Sequence, residues 1–373
     1  MGAVSTEELL ADLRRHPDIE APNLFAVDAA DRLILDSAAE AIAPGAADVA
    51  VLNDNYGALT LGAAYRFGLP SLRVYQDLAT SEQALDANAA RLGLGERYRR
   101  CRLDADLLDG ASVVLVRLPR SLAQLAEIAE TVARYAPEAV IYAGGRDKHM
   151  SPAMNAVLAE CFADVQAGRG RQKSRVIVAR GAKPVGKSSF PEVAELTDLG
   201  IVVAAHGGAF RGAGLDIGTR FLLGFLSRMH PEARDVIDLG CGTGILATKL
   251  ALSRPHASIA AYDNSRAAVV STSATAARND AEIDAVHANL LDGRPDASVD
   301  LIVCNPPFHV GATVHTGAAL AMFSAARRVL RTGGELWTVF NRHLNYRRVL
   351  AETVGPTTVI GRNGKFTVTR SVR

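Results

Sequence analysis

Short apolar runs rich in β-branched residues recur along the chain, each followed by a stretch whose apolar positions repeat at helical spacing. In the first half the runs cover 49–53, 72–75, 99–103, 112–116, 139–143 and 175–179. In the second they cover 235–239, 258–262, 283–287, 300–304 and 335–340, with a closing pair around Asn363-Gly364, a dipeptide that favours a two-residue hairpin turn. Strand and helix in alternation predict an α/β chain with a parallel sheet and crossover helices in each half.

The halves share more than rhythm. Sliding the first forward by about 187 positions lays Val51-Leu-Asn-Asp-Asn-Tyr-Gly57 on Asp238-Leu-Gly-Cys-Gly-Thr-Gly244, which predicts a duplicated unit. Only the second copy keeps its glycines, because Asn53 and Asn55 stand where Gly240 and Gly242 stand. Asparagine reaches the left-handed region, but its side chain fills the space a ligand needs beside the backbone. The first half is therefore read as a degenerate copy that keeps the fold and has lost its ligand.

Two stretches propose a nucleotide. GAKPVGKS, 181–188, fits the phosphate-loop pattern, but a phosphate loop needs a helix starting at its Lys-Ser end, and Pro191 soon after Lys187-Ser188 argues against one. No apolar run closed by Asp follows to hold magnesium, so an NTPase is the weaker reading. In the second stretch Asp238, Gly240, Cys241 and Gly242 lie between a strand and the helical pattern of 245–253, and Asp263 closes the next strand, placed to hold a ribose diol. Ile245 stands where a dinucleotide fingerprint wants its third glycine, so the spacing suits an adenosyl ligand without a pyrophosphate.

Asn305-Pro-Pro-Phe308 ends the fourth strand of the second half, at the sheet edge where such folds bind ligands. The prolines stop the strand and hold Asn305 toward the crevice. This suits methyl transfer to a planar exocyclic nitrogen: the Asn305 side-chain oxygen and the Pro306 carbonyl accept its hydrogens, and Phe308 stacks on a base drawn out of its helix. In-line displacement needs placement and electrostatics more than a strong base, so the lack of a catalytic triad is no objection.

Composition changes this picture little. The 373 residues suffice for two domains, and a net charge of +1 leaves any nucleic-acid surface to local clustering. Arg169, Arg171, Lys173, Arg175, Arg180, Lys183 and Lys187 form an acid-free basic run, balanced between a phosphate-binding and a merely solvated face. Arg97, Arg99, Arg100 and Arg102 form a second candidate patch, and Arg117-Leu-Pro-Arg120 replaces the Asn-Pro-Pro-Phe motif in the first half. Cys101, Cys161, Cys241 and Cys304 have neither zinc nor disulfide spacing; with an acidic N-terminus and no spanning run, the expectation is a cytoplasmic protein without metal or membrane. His309, His315 and His343 flank the expected active edge without a step that needs them, and Trp337 is expected in the core.

On these residues the chain resembles the bacterial ribosomal RNA guanine-N2 methyltransferases, the paired large-subunit and small-subunit enzymes lettered G and C. The resemblance runs through Arg117-Leu-Pro-Arg-Ser-Leu122, Gly214-Leu-Asp-Ile-Gly218, the glycine loop, Asn305-Pro-Pro-Phe-His309 and Asn341-Arg-His-Leu344. Met322-Phe323 and Ala326-Arg-Arg328 look more like the large-subunit branch. The resemblance implies two tandem Rossmann-like class I methyltransferase domains, the N-terminal one degenerate: 1–187 for RNA positioning, a linker over 188–198, and a catalytic domain over 199–373. It implies S-adenosyl-L-methionine as cofactor, ribosomal RNA as partner and a monomer. It also places Asp216 near the methionine end of the cofactor and Asn289 near the adenine. Arg211 departs from the family's usual Phe-Ser-Arg order, so no role is carried over to it. Arg117, Arg120, Arg169, Arg171, Lys173 and Arg175 are the expected RNA contacts. The alternatives are an adenine-N6 or protein glutamine-N5 methyltransferase, and a non-catalytic RNA-binding assembly factor.

Overall fold

A computed structural model describes residues 5–42, 48–307 and 314–373. The chain divides into two compact units, Met1–Phe190 and Pro191–Arg373. The first contains β1 (Val49–Leu52), β2 (Leu72–Tyr75), β3 (Tyr98–Arg100), β4 (Val113–Arg117), β5 (Val140–Arg146), β6 (Phe162–Ala167) and β7 (Ser174–Ala182), in the order β3-β2-β1-β4-β5-β7-β6. The β1 to β5 ladders are parallel; β7 pairs antiparallel with β5 and with β6. The fully buried β1 and the almost fully buried β4 explain why both read as continuous apolar runs.

The second unit begins with a hairpin of β8 (Glu192–Leu196) and β9 (Ile201–Ala205). Residues 188–198, expected to be a linker, thus contain a paired strand. The second sheet has β10 (Asp235–Leu239), β11 (Ser258–Asp263), β12 (Asp284–His287), β13 (Val299–Cys304), β14 (Leu330–Asn341), β15 (Thr357–Arg362) and β16 (Phe366–Val372). Its order, β12-β11-β10-β13-β14-β16-β15, repeats that of the first sheet. Each sheet buries apolar clusters on both faces, and Trp337 lies in the second core at 1 % exposure, its indole N–H donating to Glu335 at 2.7 Å. At the β15–β16 turn neither Asn363 nor Gly364 takes a positive φ, contrary to the two-residue turn expected there. The Asn363 side chain closes the turn instead, accepting from the Lys365 and Phe366 amides at 2.8 and 2.7 Å.

The duplication extends to single hydrogen bonds. The Asn53 amide donates to the Tyr75 carbonyl at 2.9 Å, and that of Gly240 donates to Tyr262 at 2.8 Å. Gly57 and Gly244 both take left-handed conformations and lead into helices Ala58–Arg66 and Ile245–Ser253. After Lys187-Ser188 no helix begins: 183–191 carry neither helix nor strand and lead into β8, so the GAKPVGKS match lacks the helix N-terminus a phosphate loop requires.

Candidate active site

The site is built where the parallel strands β10, β11 and β13 end. The chain leaves β10 through Gly240, φ +80°, and Gly242, φ +57°, and enters helix Ile245–Ser253 through Gly244, φ +76°. The three glycines differ in purpose. A Cβ on Gly244 would sit 2.9 Å from the Thr272 Cα, so this glycine permits close packing. A Cβ on Gly242 would meet nothing within 4 Å, so there the missing side chain keeps a cradle open. That open backbone is the space an adenosyl ligand's amino-acid end requires, and in this respect the residues fit the expected cofactor.

Asp263, at the end of β11, accepts from the Gly242 amide at 3.0 Å and the Ser265 amide at 2.9 Å. One carboxylate therefore ties the loop to the next helix. Burial raises its pKa against the pull of those amide bonds. Asp238 behaves otherwise: its side chain is fully buried, and Oδ2 accepts from the Ala247 amide at 3.0 Å. Asp238, expected at the cofactor, thus pins the helix start beneath the loop through Oδ2, while its Oδ1 is buried and has no partner among the described residues. Burial, reinforced by the charge of Asp263, pushes its carboxyl up to about 7. The buried Cys241 thiol accepts from the Thr272 hydroxyl at 3.2 Å, so Cys241 lends the loop its backbone and not its sulfur. Asn289 is half-buried in the turn after β12, whose first amide, Ala288, donates to the Asp263 carbonyl at 3.0 Å.

Asn305 follows β13 and Pro306 is buried beside it, whereas Phe308 and His309 lie outside the described residues. The Asn305 amide nitrogen donates to Asp216 Oδ2 at 3.0 Å and to the Thr219 hydroxyl at 2.9 Å. Its oxygen, Oδ1, is buried and has no partner among the described residues. Asp216 is also the N-cap of helix Ile217–Leu223, accepting from the Gly218 and Thr219 amides. Arg211, at φ +64°, brings its Nε to 3.5 Å from Asp216 Oδ1. Neither Thr219 nor the Arg211 contact was visible in sequence; the one signal for Thr219 is its place three residues after an N-capping aspartate.

The first unit holds the same constellation with other side chains. Arg117 donates to Asp28 at 2.8 and 2.6 Å and to Asp31 at 2.8 Å, and Asp28 caps helix Ala29–Ser37. The two contacts span 89 and 86 residues, the same separations as Asn305 to Asp216 and to Thr219. Arg117, expected to contact RNA, has a side chain only 14 % exposed that pairs with both carboxylates. The loop after β1 is covered as well, with Arg15 stacked 4.7 Å from the Tyr56 ring centre and Asn88 donating to both the Arg14 and Tyr56 carbonyls.

Other cations sort by partner. Arg120, Arg169 and Lys173 are exposed and pair with no acid among the described residues, while Arg171 pairs with Asp36 and Arg175 lies 3.7 Å from Asp147. The patch expected around Arg99 is largely neutralised, because Arg99 pairs with Asp106, Arg100 with Glu82 and Asp86, and Arg102 with Asp104. Among the described residues no cluster of three or more His, Cys, Asp or Glu side chains is placed to hold a metal, and no helix is long and apolar enough to cross a membrane.

Residues 1–183 match the family model described as RLMG N-terminal domain, and 200–370 match the methyltransferase small domain. The ribosomal RNA large subunit methyltransferase G of Pseudomonas entomophila is 34 % identical over 365 residues, covering 96 % of each chain. The chain belongs to this family. The Streptomyces avermitilis member is 33 % identical over 97 % of this chain and 96 % of its own. A T. thermophilus 16S rRNA N2 methyltransferase, solved in complex with AdoMet and guanosine, superimposes with a TM-score of 0.74 over 95 % of this chain and 97 % of its own; at 21 % identity the match establishes the shared two-unit fold. This chain of the large subunit methyltransferase G family is an α/β enzyme of methyltransferase type.

Proposed function

We propose that this chain transfers a methyl group from S-adenosylmethionine to the exocyclic N2 of a guanine in large-subunit ribosomal RNA, acting as a cytoplasmic monomer. The observation that carries the reading is the unpartnered Oδ1 of Asn305 at the end of β13, in the unit whose Gly242 cradle stands open. The guanine N2 lone pair is delocalised into its ring, so the nitrogen is a poor nucleophile. Hydrogen bonds from its two hydrogens to Asn305 Oδ1 and the Pro306 carbonyl favour a pyramidal nitrogen whose lone pair points away from the ring. The cofactor would supply an electrophilic methyl on its sulfonium, the C–S bond breaking as the N–C bond formed. Asn305 Oδ1 and the Pro306 carbonyl would hold the hydrogens of the nitrogen, from which the surplus proton would be lost to water. Asp263 and the Gly240–Gly242 backbone would hold the adenosyl moiety, with Asn289 at the adenine and Asp216 at the methionine end. Phe308 would stack on the base.

In this reading 199–373 carry the chemistry and 1–187 position the RNA. Support comes from the exposed cations Arg120, Arg169, Lys173 and Arg175, whose phosphate contacts would make binding fall steeply with salt. The test is transfer of labelled methyl to unmodified large-subunit and small-subunit rRNA, with an Asn305→Ala control and nucleoside analysis. N2-methylguanosine in the large-subunit RNA, abolished by the substitution, is the expected result. N6-methyladenosine, or label in protein, would replace this reading.

A further inference from the structure

The Asn305 amide can serve the acceptor only if its oxygen, not its nitrogen, faces the substrate, and the two ends of an amide have nearly the same shape. We infer that Asp216 and Thr219 form a two-point clamp whose task is to fix this orientation, making Thr219 a positioning residue for methyl transfer. The inference rests on the proposed reaction for its purpose and on geometry for its substance.

As a carboxylate, Asp216 only accepts, so the amide end 3.0 Å from Oδ2 must be the nitrogen; a flipped amide would set two acceptors against each other. The carboxylate is itself immobilised by the Gly218 and Thr219 amides, and Arg211 lies 3.5 Å from its other oxygen. Thr219 Oγ1 takes the second amide hydrogen at 2.9 Å, which fixes rotation about the end of the side chain and leaves Oδ1 as the one unfilled polar atom of the group. Gly218 makes the arrangement possible, because a Cβ there would sit 3.0 Å from Asp216 Oδ2 and 3.3 Å from Asn305 Oδ1.

The first unit provides an internal comparison. There the clamp positions persist as Asp28 and Asp31, but the clamped group is the guanidinium of Arg117, which has donors only. A clamp built to satisfy a donor survives in both copies, and the copy without an acceptor atom is the one whose glycine loop is lost. The acceptor oxygen is thus what distinguishes the two units at this position.

The experiment compares Thr219→Val and Thr219→Ser with the wild-type chain. Valine keeps the shape and removes the acceptor; serine keeps the acceptor. In Thr219→Val, kcat for RNA methylation should fall roughly 10- to 100-fold. KM for RNA and the calorimetric Kd for S-adenosylmethionine should stay within about twofold, and Thr219→Ser should recover most of the rate. An independent readout is the Asn305 side-chain NH2 in NMR spectra, which should exchange slowly in the wild type and in Thr219→Ser and quickly in Thr219→Val. An unchanged kcat, a rate loss matched by an equal loss of cofactor affinity, or an unaltered NH2 signal in the valine variant would each overturn the clamp. Slow NH2 exchange lost in Thr219→Val, with no methyl transfer by the wild type to any RNA, would preserve the clamp and sink the proposed reaction instead.

Discussion

Arg117 offers a direct contest between two roles for one cation. If it neutralises RNA phosphate, Arg117→Met lowers RNA affinity and reduces the salt slope by about one, with little effect on stability. If it is the counter-ion of Asp28 and Asp31, the same change strands two carboxylates whose side chains are 28 % and 8 % exposed. Breaking a buried pair from one side costs about 3–5 kcal/mol, and the partial exposure of Asp28 selects the low end, about 3 kcal/mol. For a unit of about 190 residues this corresponds to a Tm lower by about 6–12 °C. The loss should depend on pH with a definite sign. Burial already lifts Asp31 to about 6 with Arg117 beside it; Asp28, though burial opposes it, is held below its usual value by the Arg117 hydrogen bond and charge. Without Arg117 both carboxyls rise, and a carboxyl whose folded pKa exceeds its unfolded one takes up a proton on folding. Its contribution to stability is gained as pH falls and lost as pH rises, so the deficit of the variant should be larger at pH 8 than at pH 5. Differential scanning calorimetry at several pH values reads this directly, and Arg117→Met/Asp28→Asn/Asp31→Leu, which removes the stranded charges, should recover most of the loss. A variant that melts within 1 °C of wild type at pH 8 while its RNA salt slope falls would refute the ion-pair assignment.

Gly242→Val should abolish cofactor binding in calorimetry while costing about 1–2 kcal/mol of stability, since the new side chain meets open space at φ +57°. Gly244→Ala should instead lower the melting temperature, because its Cβ collides with the Thr272 backbone. Asp238, with a folded pKa of about 7, takes up a proton on folding, so between about pH 4 and 7 its contribution falls as pH rises; Asp238→Asn should flatten that part of the stability profile measured by urea titration. Arg169→Ala/Lys173→Ala should weaken RNA binding and reduce its salt slope by about two without moving Tm, and an unchanged slope would leave these side chains as solubilising charges.

What could be read from the sequence follows from range. Strand interiors, the helix over 245–253, the glycine loop and Asn305 are encoded by neighbours a few residues apart, and the structure places them where periodicity did. The β8–β9 hairpin escaped notice because its mixed pattern, with Glu192, Ala194 and Glu195 in one strand, alternates too weakly to declare a buried face. Spacing puts Asp238 beside the glycines, and only the fold shows that its Oδ2 turns beneath the loop to the Ala247 amide.

The partners of Arg117 and Asn305 lie beyond local reading, since each contact crosses 86 or 89 residues and the Arg117 partners sit at the N-cap and in the first turn of a helix before β1. The duplication carries them, because nearly the same offset that relates the glycine loops relates these contacts. Asp28 stands to Arg117 as Asp216 stands to Asn305, and a carboxylate retained opposite both an amide and a guanidinium must serve what the two share, an N–H donor to be held in place. Divergence between the units then needs few changes at this corner. Exchanging the amide for a guanidinium removes the acceptor oxygen, and a second carboxylate at position 31, where Thr219 stands in the other unit, offsets the added charge. The first unit thereby keeps the contact that ties helix Ala29–Ser37 to the end of β4 without the acceptor oxygen.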